Sequence, residues 1–221
     1  MVGGRRYLGA MIGDVRSLAR VALATAGGNQ SRRERFVRSL IAYSYALMAH
    51  LRSESIPTEV ACYCDVVPTG RNVPDALLRK AGTEIGAMLA AGEFGEMVYV
   101  RLDERLTALA SCQVACERIK GTPVPFTYTL LLHRTAYAFC FLLPFGLVGT
   151  MGWGTPVLAA LVAYAFFGLD ALGDELQDPF GTGANCLPLS AMARTVETSL
   201  LEALGAENVP EPLKLVRSVL R

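Results

Sequence analysis

Charge is what the middle of this chain lacks. From Thr135 through Leu169 there is no Asp, Glu, Lys or Arg, although both flanks are rich in them. An uncharged apolar run well beyond 18 residues marks a membrane span rather than the core helix of a soluble protein. Other absences exclude chemistry. The chain has only two histidines, His50 and His133, and they stand far apart. It has no Gly-rich phosphate loop, no His-x-x-x-His pair and no Ser or Cys in a nucleophile motif, so catalysis finds little support. A formal net charge of +1 supplies no global field for nucleic acid or acidic partners. Strand-type alternation is missing throughout, which reads as an all-α protein. No signal peptide is expected, because MVGGRRYLG is basic but is followed by no apolar h-region.

The cysteines do not make a framework. Of the six, at 62, 64, 112, 116, 140 and 186, Cys140 lies inside the apolar run. The others fall in segments expected in the cytoplasm, where thiols stay reduced. A zinc site would need the Cys62/Cys64 pair to meet Cys112 and Cys116, and C-x-C is an unusual spacing for zinc. Small core or surface residues are the simpler reading. No metal or cofactor is expected.

What is present centres on Pro123 to Gly181. The apolar run is too long for one span and is broken by Gly149-Thr150-Met151-Gly152-Trp153-Gly154-Thr155-Pro156. Gly and Pro clusters mark turns, and a Trp beside them suits the membrane–water interface. The stretch therefore reads as a helical hairpin that enters the bilayer and returns. A first leg beginning after Arg134 reaches only about 22 Å, whereas one beginning near Phe126 reaches about 34 Å and spans a core of about 30 Å. The longer leg carries His133 and Arg134 into the membrane's depth, where an Arg has to face protein or water and be paired. The second leg, from about Thr155 to Leu172, is marginal in length and ends in Asp170, Asp174 and Glu175. These acids are the expected partners of Arg134. Asp174, Glu175 and Asp178 form the only carboxylate cluster, better explained as an acidic helix end or an Arg partner than as a cation site.

Helical periodicity organises the first 120 residues. The first helix covers Tyr7 to Ala24, with Leu8, Met11, Val15, Leu18 and Ala22 on one stripe, and ends at Gly27-Gly28-Asn29. Ser31 with Glu34 forms a capping-box pattern for a second, whose stripe is Phe36/Val37, Leu40/Ile41, Ser44, Leu47/Met48 and Leu51. Its Arg32, Arg33, Arg35 and Arg38 read as a solvated face more readily than as a lipid or nucleic-acid patch. Residues 53 to 72 read as loop with at most one short helix. Asn72-Val73-Pro74-Asp75 opens another helix through about Ala91. A long helix from about Glu96 to Lys120 follows, and Gln113 on its apolar stripe hints at an interface or pore-side position. After the Gln177–Gly181 turn, a last amphipathic helix runs from about Leu189 to Leu204, with Gly205 as terminator. Pro210 and Pro212 start an extended tail that is expected to end in a short basic helix.

Sixteen of the 21 Lys and Arg lie at residues 5 to 120. The positive-inside rule accordingly puts residues 1–122 in the cytoplasm, the hairpin (123–176) in the inner membrane as a multi-pass element, and 177–221 back in the cytoplasm. The whole chain then forms one domain, a mostly helical cytosolic bundle joined to a transmembrane hairpin.

Several motifs in fixed order resemble the bestrophin family, in its bacterial branch. They are Pro-Val-Pro-Phe-Thr-Tyr-Thr (123–129, with Pro123, Pro125 and Tyr128), His133-Arg134-Thr135, Leu143-Pro144-Phe145, and Asp174-Glu175-Leu176-Gln177-Asp178-Pro179-Phe180-Gly181. Asn185 and Leu187-Pro188-Leu189 follow, and residues 5–20 resemble the segment after that family's second transmembrane helix. The resemblance covers most of the chain. It implies a homopentameric ion channel, lodged in the lipid bilayer, that passes monovalent ions: chloride-type anions by the family's usual label, cations in some bacterial members. It implies no nucleic-acid partner. The family's cytosolic constriction would fall near Cys116-Glu117-Arg118-Ile119, with Ile119 the candidate for an apolar ring.

Two departures accompany the resemblance. The family has two apolar helices before the point where this sequence starts, the second lining the pore's neck, so this chain is expected to lack the neck. Calcium-activated members carry a run of acids after Pro-Phe-Gly. Here Thr182-Gly183-Ala184-Asn185-Cys186 stand instead, with Cys186 where the bacterial pattern has Asp, and no calcium clasp is expected. A channel subunit is the favoured reading. The alternative is a non-conducting, membrane-anchored helical interaction protein, and a membrane-embedded enzyme ranks last.

Overall fold

A computed structural model describes residues 2–24, 29–122, 126–177, 179–183, 186–213, 215–216 and 219–220. Eight α-helices follow one another among these residues: α1 (Val2–Ala24), α2 (Gln30–Arg52), α3 (Thr58–Tyr63), α4 (Val73–Ala90), α5 (Glu96–Gly121), α6 (Phe126–Met151), α7 (Thr155–Gln177) and α8 (Leu189–Leu204). They form two compact units, Met1–Lys120 with Leu187–Arg221, and Gly121–Cys186. The all-α reading holds. The tail is the exception, since β1 (Leu215–Val216) pairs antiparallel with β2 (Val219–Leu220) where a basic helix was expected. Val216 and Val219 face each other across this pair, and their β-branched side chains favour extended backbone.

The larger unit is built around α2. Helices α3, α4 and α8 pack on it, and α1 lies against α8. The single stripe expected for α2 understates its burial, because Phe36, Val37, Leu40, Ile41, Ser44, Leu47 and Leu51 are joined inside by Ser39, Ala42, Tyr43, Tyr45, Ala46 and Ala49. Small Ala and Ser on its remaining faces let neighbouring helices approach from several sides, and the two Ser hydroxyls are satisfied by backbone carbonyls of Phe36 and Leu40. A helix surrounded in this way is a core element rather than an amphipathic cover.

Helix boundaries follow local chemistry. Asn29, not Ser31, caps α2: its Oδ1 accepts from Ser31 N at 3.0 Å, and Glu34 pairs with Arg38 at 2.8 Å instead of closing a capping box. Asn72 caps α4 as the sequence implies, its Oδ1 accepting from Asp75 N at 3.1 Å with Pro74 in the first turn. Gly205 ends α8 at φ 70°, a left-handed backbone that Gly adopts without a Cβ penalty. These three boundaries sit within a residue or two of their sequence signals, whereas α1 begins earlier, at Val2.

Candidate functional site

The smaller unit is the hairpin. Helix α6 has 26 residues and α7 has 23, joined by a 3-10 turn at Gly152–Gly154. At 1.5 Å per residue they are about 39 Å and about 34 Å long, so each leg exceeds a hydrocarbon core of about 30 Å. The second leg is longer than the marginal one anticipated, because α7 continues to Gln177, up to the residue before Asp178-Pro179. Within the apolar stretch Leu130–Gly173 the mean hydropathy over a span-length window is 1.7, and none of that window is buried by protein. Phe141, Phe145, Leu161, Tyr164 and Leu169 are among the large apolar side chains it exposes, and Trp153 at the turn is 98% exposed. Such a surface is unstable in water and suited to lipid.

Aromatic pairs and one ionic contact hold the legs together. Tyr137 meets Phe167 and Phe139 meets Phe166, with ring centroids 5.2 and 5.3 Å apart, both tilted. His133 Nε2 lies 2.9 Å from Asp170 Oδ2. Of the three acids expected to pair with Arg134, Asp170 meets His133 instead, while the Asp174 and Glu175 side chains lie outside the described residues. Arg134 is exposed, and among the described residues no carboxylate lies within ion-pair reach of it. His133 and Arg134 are adjacent on α6 and point about 100° apart, so only one of them can face α7. Counted along the helices, His133 and Asp170 sit about 10 Å from the hairpin's open end. They occupy the border of the hydrocarbon rather than its centre, where a charge costs less.

Other motif positions divide. Tyr128 is exposed, Pro144 lies inside α6, Pro179 and Phe180 are buried, and Gly181 is half-buried. Asp174 and Glu175 stand on the last turns of α7, but their side chains, like Pro123, Pro125, Asn185 and Asp178, lie outside the described residues.

In the larger unit two carboxylates collect donors. Glu117 Oε1 accepts from Gln113 Nε2 at 2.8 Å and Asn72 Nδ2 at 2.9 Å, and His50 Nε2 lies 3.3 Å from it. Gln113 Nε2 also donates to Asn72 Oδ1 at 3.0 Å. Gln113 is therefore neither a pore-side nor an interface residue: it is 3% exposed and spent on this cluster. Two residues beyond Glu117, Ile119 is half-buried, with its Cδ1 3.8 Å from where a Cβ on Gly3 would stand.

Glu197 on α8 is the second hub and is only 4% exposed. It accepts from Tyr45 Oη at 2.6 Å, Tyr63 Oη at 2.5 Å and Arg194 Nη1 at 2.6 Å. A buried carboxylate needs such donors to offset its lost hydration. Burial and then the bond to Glu197 push the phenols of Tyr45 and Tyr63 well above the usual tyrosine range, and burial does the same to Tyr43. Neither residue is legible as a hub from sequence, where Glu117 figures only beside the expected constriction, although both leave a trace. Glu197 breaks the inward stripe of Leu189, Ala193, Val196 and Leu200, and Gln113–Glu117 is an i,i+4 polar pair on a buried face.

The Arg cluster of α2 is partly engaged rather than fully solvated, since Arg32 pairs with Glu93 at 2.8 Å and Arg38 with Glu34. All six cysteines are free thiols. Burial pushes Cys112 up, and burial followed by the Cys112 and Glu117 charges pushes Cys116 up to about 11.

A helical bundle joined to an apolar helical hairpin whose outer surface needs lipid defines an integral membrane protein. The profile of the family described as Bacterial/Fungal Bestrophin protein matches residues 2–202, and the chain belongs to that family. It is 42% identical over 205 residues to a voltage-dependent anion channel-forming protein of Mesorhizobium japonicum, covering 91% of this chain and 66% of that one. A protein of the same description from Escherichia coli K12 is 36% identical over 214 residues, covering 95% of this chain and 70% of its own. The crystal structure of a bacterial bestrophin homolog from Klebsiella pneumoniae, 36% identical, superposes with a TM-score of 0.88 over 94% of this chain and 79% of that one. This chain therefore spans about two thirds of the length of the curated relatives it matches.

Proposed function

We propose that the chain is a subunit of a homopentameric channel for passive ion movement, anions first, with the larger helical unit and both ends of the chain in the cytoplasm. The observation that carries this reading is the family match over residues 2–202, joined by a bestrophin homolog structure that is 36% identical and superposes with a TM-score of 0.88 over 94% of the chain. The names of the curated relatives, anion channel-forming proteins, support anions over monovalent cations. The lipid-suited hairpin supports a multi-pass membrane location, and the basic residues at 5 to 120 support the orientation.

In this reading the hairpin braces the assembly and the permeation path is lined from elsewhere. Ile119 is the candidate for a cytosolic apolar ring. Part of its side chain rests near Gly3, while Met97, Val100 and Val114 on the same helix are more openly exposed and are further apolar candidates for the axis or for a neighbouring copy.

The test is ion flux from liposomes, with anion and cation gradients run separately. It uses this chain and a version extended at its N-terminus to the length of its relatives, with assembly measured by native mass. A pentamer that passes anions supports the proposal. An extended protein that forms no pentamer and passes no ion overturns it in favour of a non-conducting, membrane-anchored interaction protein. Flux of cations alone overturns the anion preference only.

A further inference from the structure

The ends of α2 and α5 meet in an arrangement that no membrane role of the hairpin requires. Lys120 Nζ donates to His50 O at 2.6 Å and to Ser53 Oγ at 2.7 Å, so the last turn of α5 reaches onto the last turn of α2. His50 returns the contact through Nε2 to Glu117. Two helix C-termini, each carrying partial negative charge, are brought together with the Glu117 carboxylate between them. Lys120 and the imidazole are the groups that offset it. Asn72 links the same carboxylate to the N-cap of α4, so three helices are tied at one oxygen. One residue beyond Lys120 the chain passes into the hairpin unit.

We propose that Glu117 is a positioning residue that, with His50, makes a pH-sensitive tie fixing the last turn of α5 where the chain enters the hairpin, and that ion flux depends on that tie. The inference rests on the channel reading above. Imidazole is the one side chain whose ordinary titration lies between about pH 5 and 8. When the imidazole is protonated the His50–Glu117 contact is an ion pair, and when it is neutral only a 3.3 Å polar contact remains. The other ionisable groups around it are accounted for. Lys120 is held on the carbonyl of His50, Arg52 donates to Ser190 Oγ, and Asp75 pairs with Arg79. Tyr43 and Cys116, whose ionisation the Glu117 charge opposes, stay protonated over this range because burial pushes them upward. Within the pair, the imidazole is the partner whose charge depends on taking up a proton. Both partners are 28% exposed, which limits the pair to the strength of a partly screened contact. The described arrangement is the tied state, and movement of the hairpin entrance has to break it.

The experiment measures flux from liposomes at about pH 6 and about pH 8, either side of the imidazole range. It compares the protein extended to the length of its relatives with its His50→Gln and Glu117→Gln variants. Flux is expected to be about two- to fivefold higher at the alkaline end, a step that both variants lose. Glu117→Gln keeps an acceptor for Asn72 and Gln113, so it should assemble normally. A flat wild-type profile with flux present, or variants that keep the step, overturns the tie and leaves the channel reading intact. Absence of flux at both values overturns the channel reading instead. Amide exchange then decides the tie, after correction for intrinsic rates. Protection of residues 117–121 that is higher at the acid end in wild type but not in His50→Gln supports it. Equal protection in the two proteins overturns it.

Discussion

Tyr63 Oη and Tyr45 Oη converge on the two oxygens of Glu197, at 2.5 and 2.6 Å, from helices α3 and α2. The pairing fastens α8, which lies at the far end of the sequence, to the centre of the first unit. Arg194, one turn back on α8, completes the charge balance.

Replacing Glu197 should therefore cost more than its surface-like residue type suggests. Glu197→Ala leaves Arg194 without its partner and strands two phenols, for a loss of about 3 kcal/mol in thermal or denaturant unfolding in detergent. Tyr63→Phe, which removes one bond to a carboxylate, should cost about 1–2 kcal/mol. Equal costs for the two variants would show that Glu197 is not the hub.

The three phenols of Tyr43, Tyr45 and Tyr63 predict alkaline sensitivity. Their ionisation in the folded chain is raised above the ordinary value of about 10. The stability they contribute is fully present below that value. It falls as pH rises beyond it, because the unfolded chain releases protons that the folded chain holds. Ultraviolet titration should therefore show fewer phenolates than the eight tyrosines until the protein unfolds.

Within the hairpin, Asp170→Ala removes the carboxylate that His133 Nε2 meets at 2.9 Å. Its expected cost is about 1–3 kcal/mol in unfolding from lipid or detergent. A His133→Leu/Asp170→Leu double variant should recover much of it, since an apolar pair in place of an ionic one is close to neutral. Additive losses in that cycle would mean that the two side chains act separately.

Thiol labelling should follow burial and ionisation. Cys62 is exposed, whereas Cys116 is buried and pushed up to about 11. Near neutral pH, maleimide should modify Cys62 at least about a hundredfold faster than Cys116, read by mass spectrometry of peptides. Gly205→Ala adds a backbone test, with an expected cost of about 1 kcal/mol from forcing a Cβ into φ 70°.

Reading the chain as a sequence recovered elements wherever a local cause suffices. The α8 bounds, Leu189 and Leu204, and its Gly205 terminator are legible because periodicity and a left-handed Gly are local properties. The same holds for Asn72 at the start of α4 and for the break between the hairpin legs. The cap of α2 was misplaced because Asn29 and Ser31 both suit that role, and the choice depends on where the chain leaves a connection that periodicity does not define. Arg134 was given a partner that went to His133, because adjacent residues on a helix diverge and only packing decides which one turns inward.

Composition alone determined that this protein is helical and that its centre belongs in a membrane. An uncharged stretch from Thr135 to Leu169 has no stable home in water, whatever surrounds it. The ordered motifs around it were also sufficient to point to the family. Tertiary structure decided which polar groups matter inside. Glu197 and Glu117 look like any other surface acids when read along the chain. They become hubs only because donors 152 and 45 residues away are folded onto them, and a carboxylate removed from water has to be met by such donors.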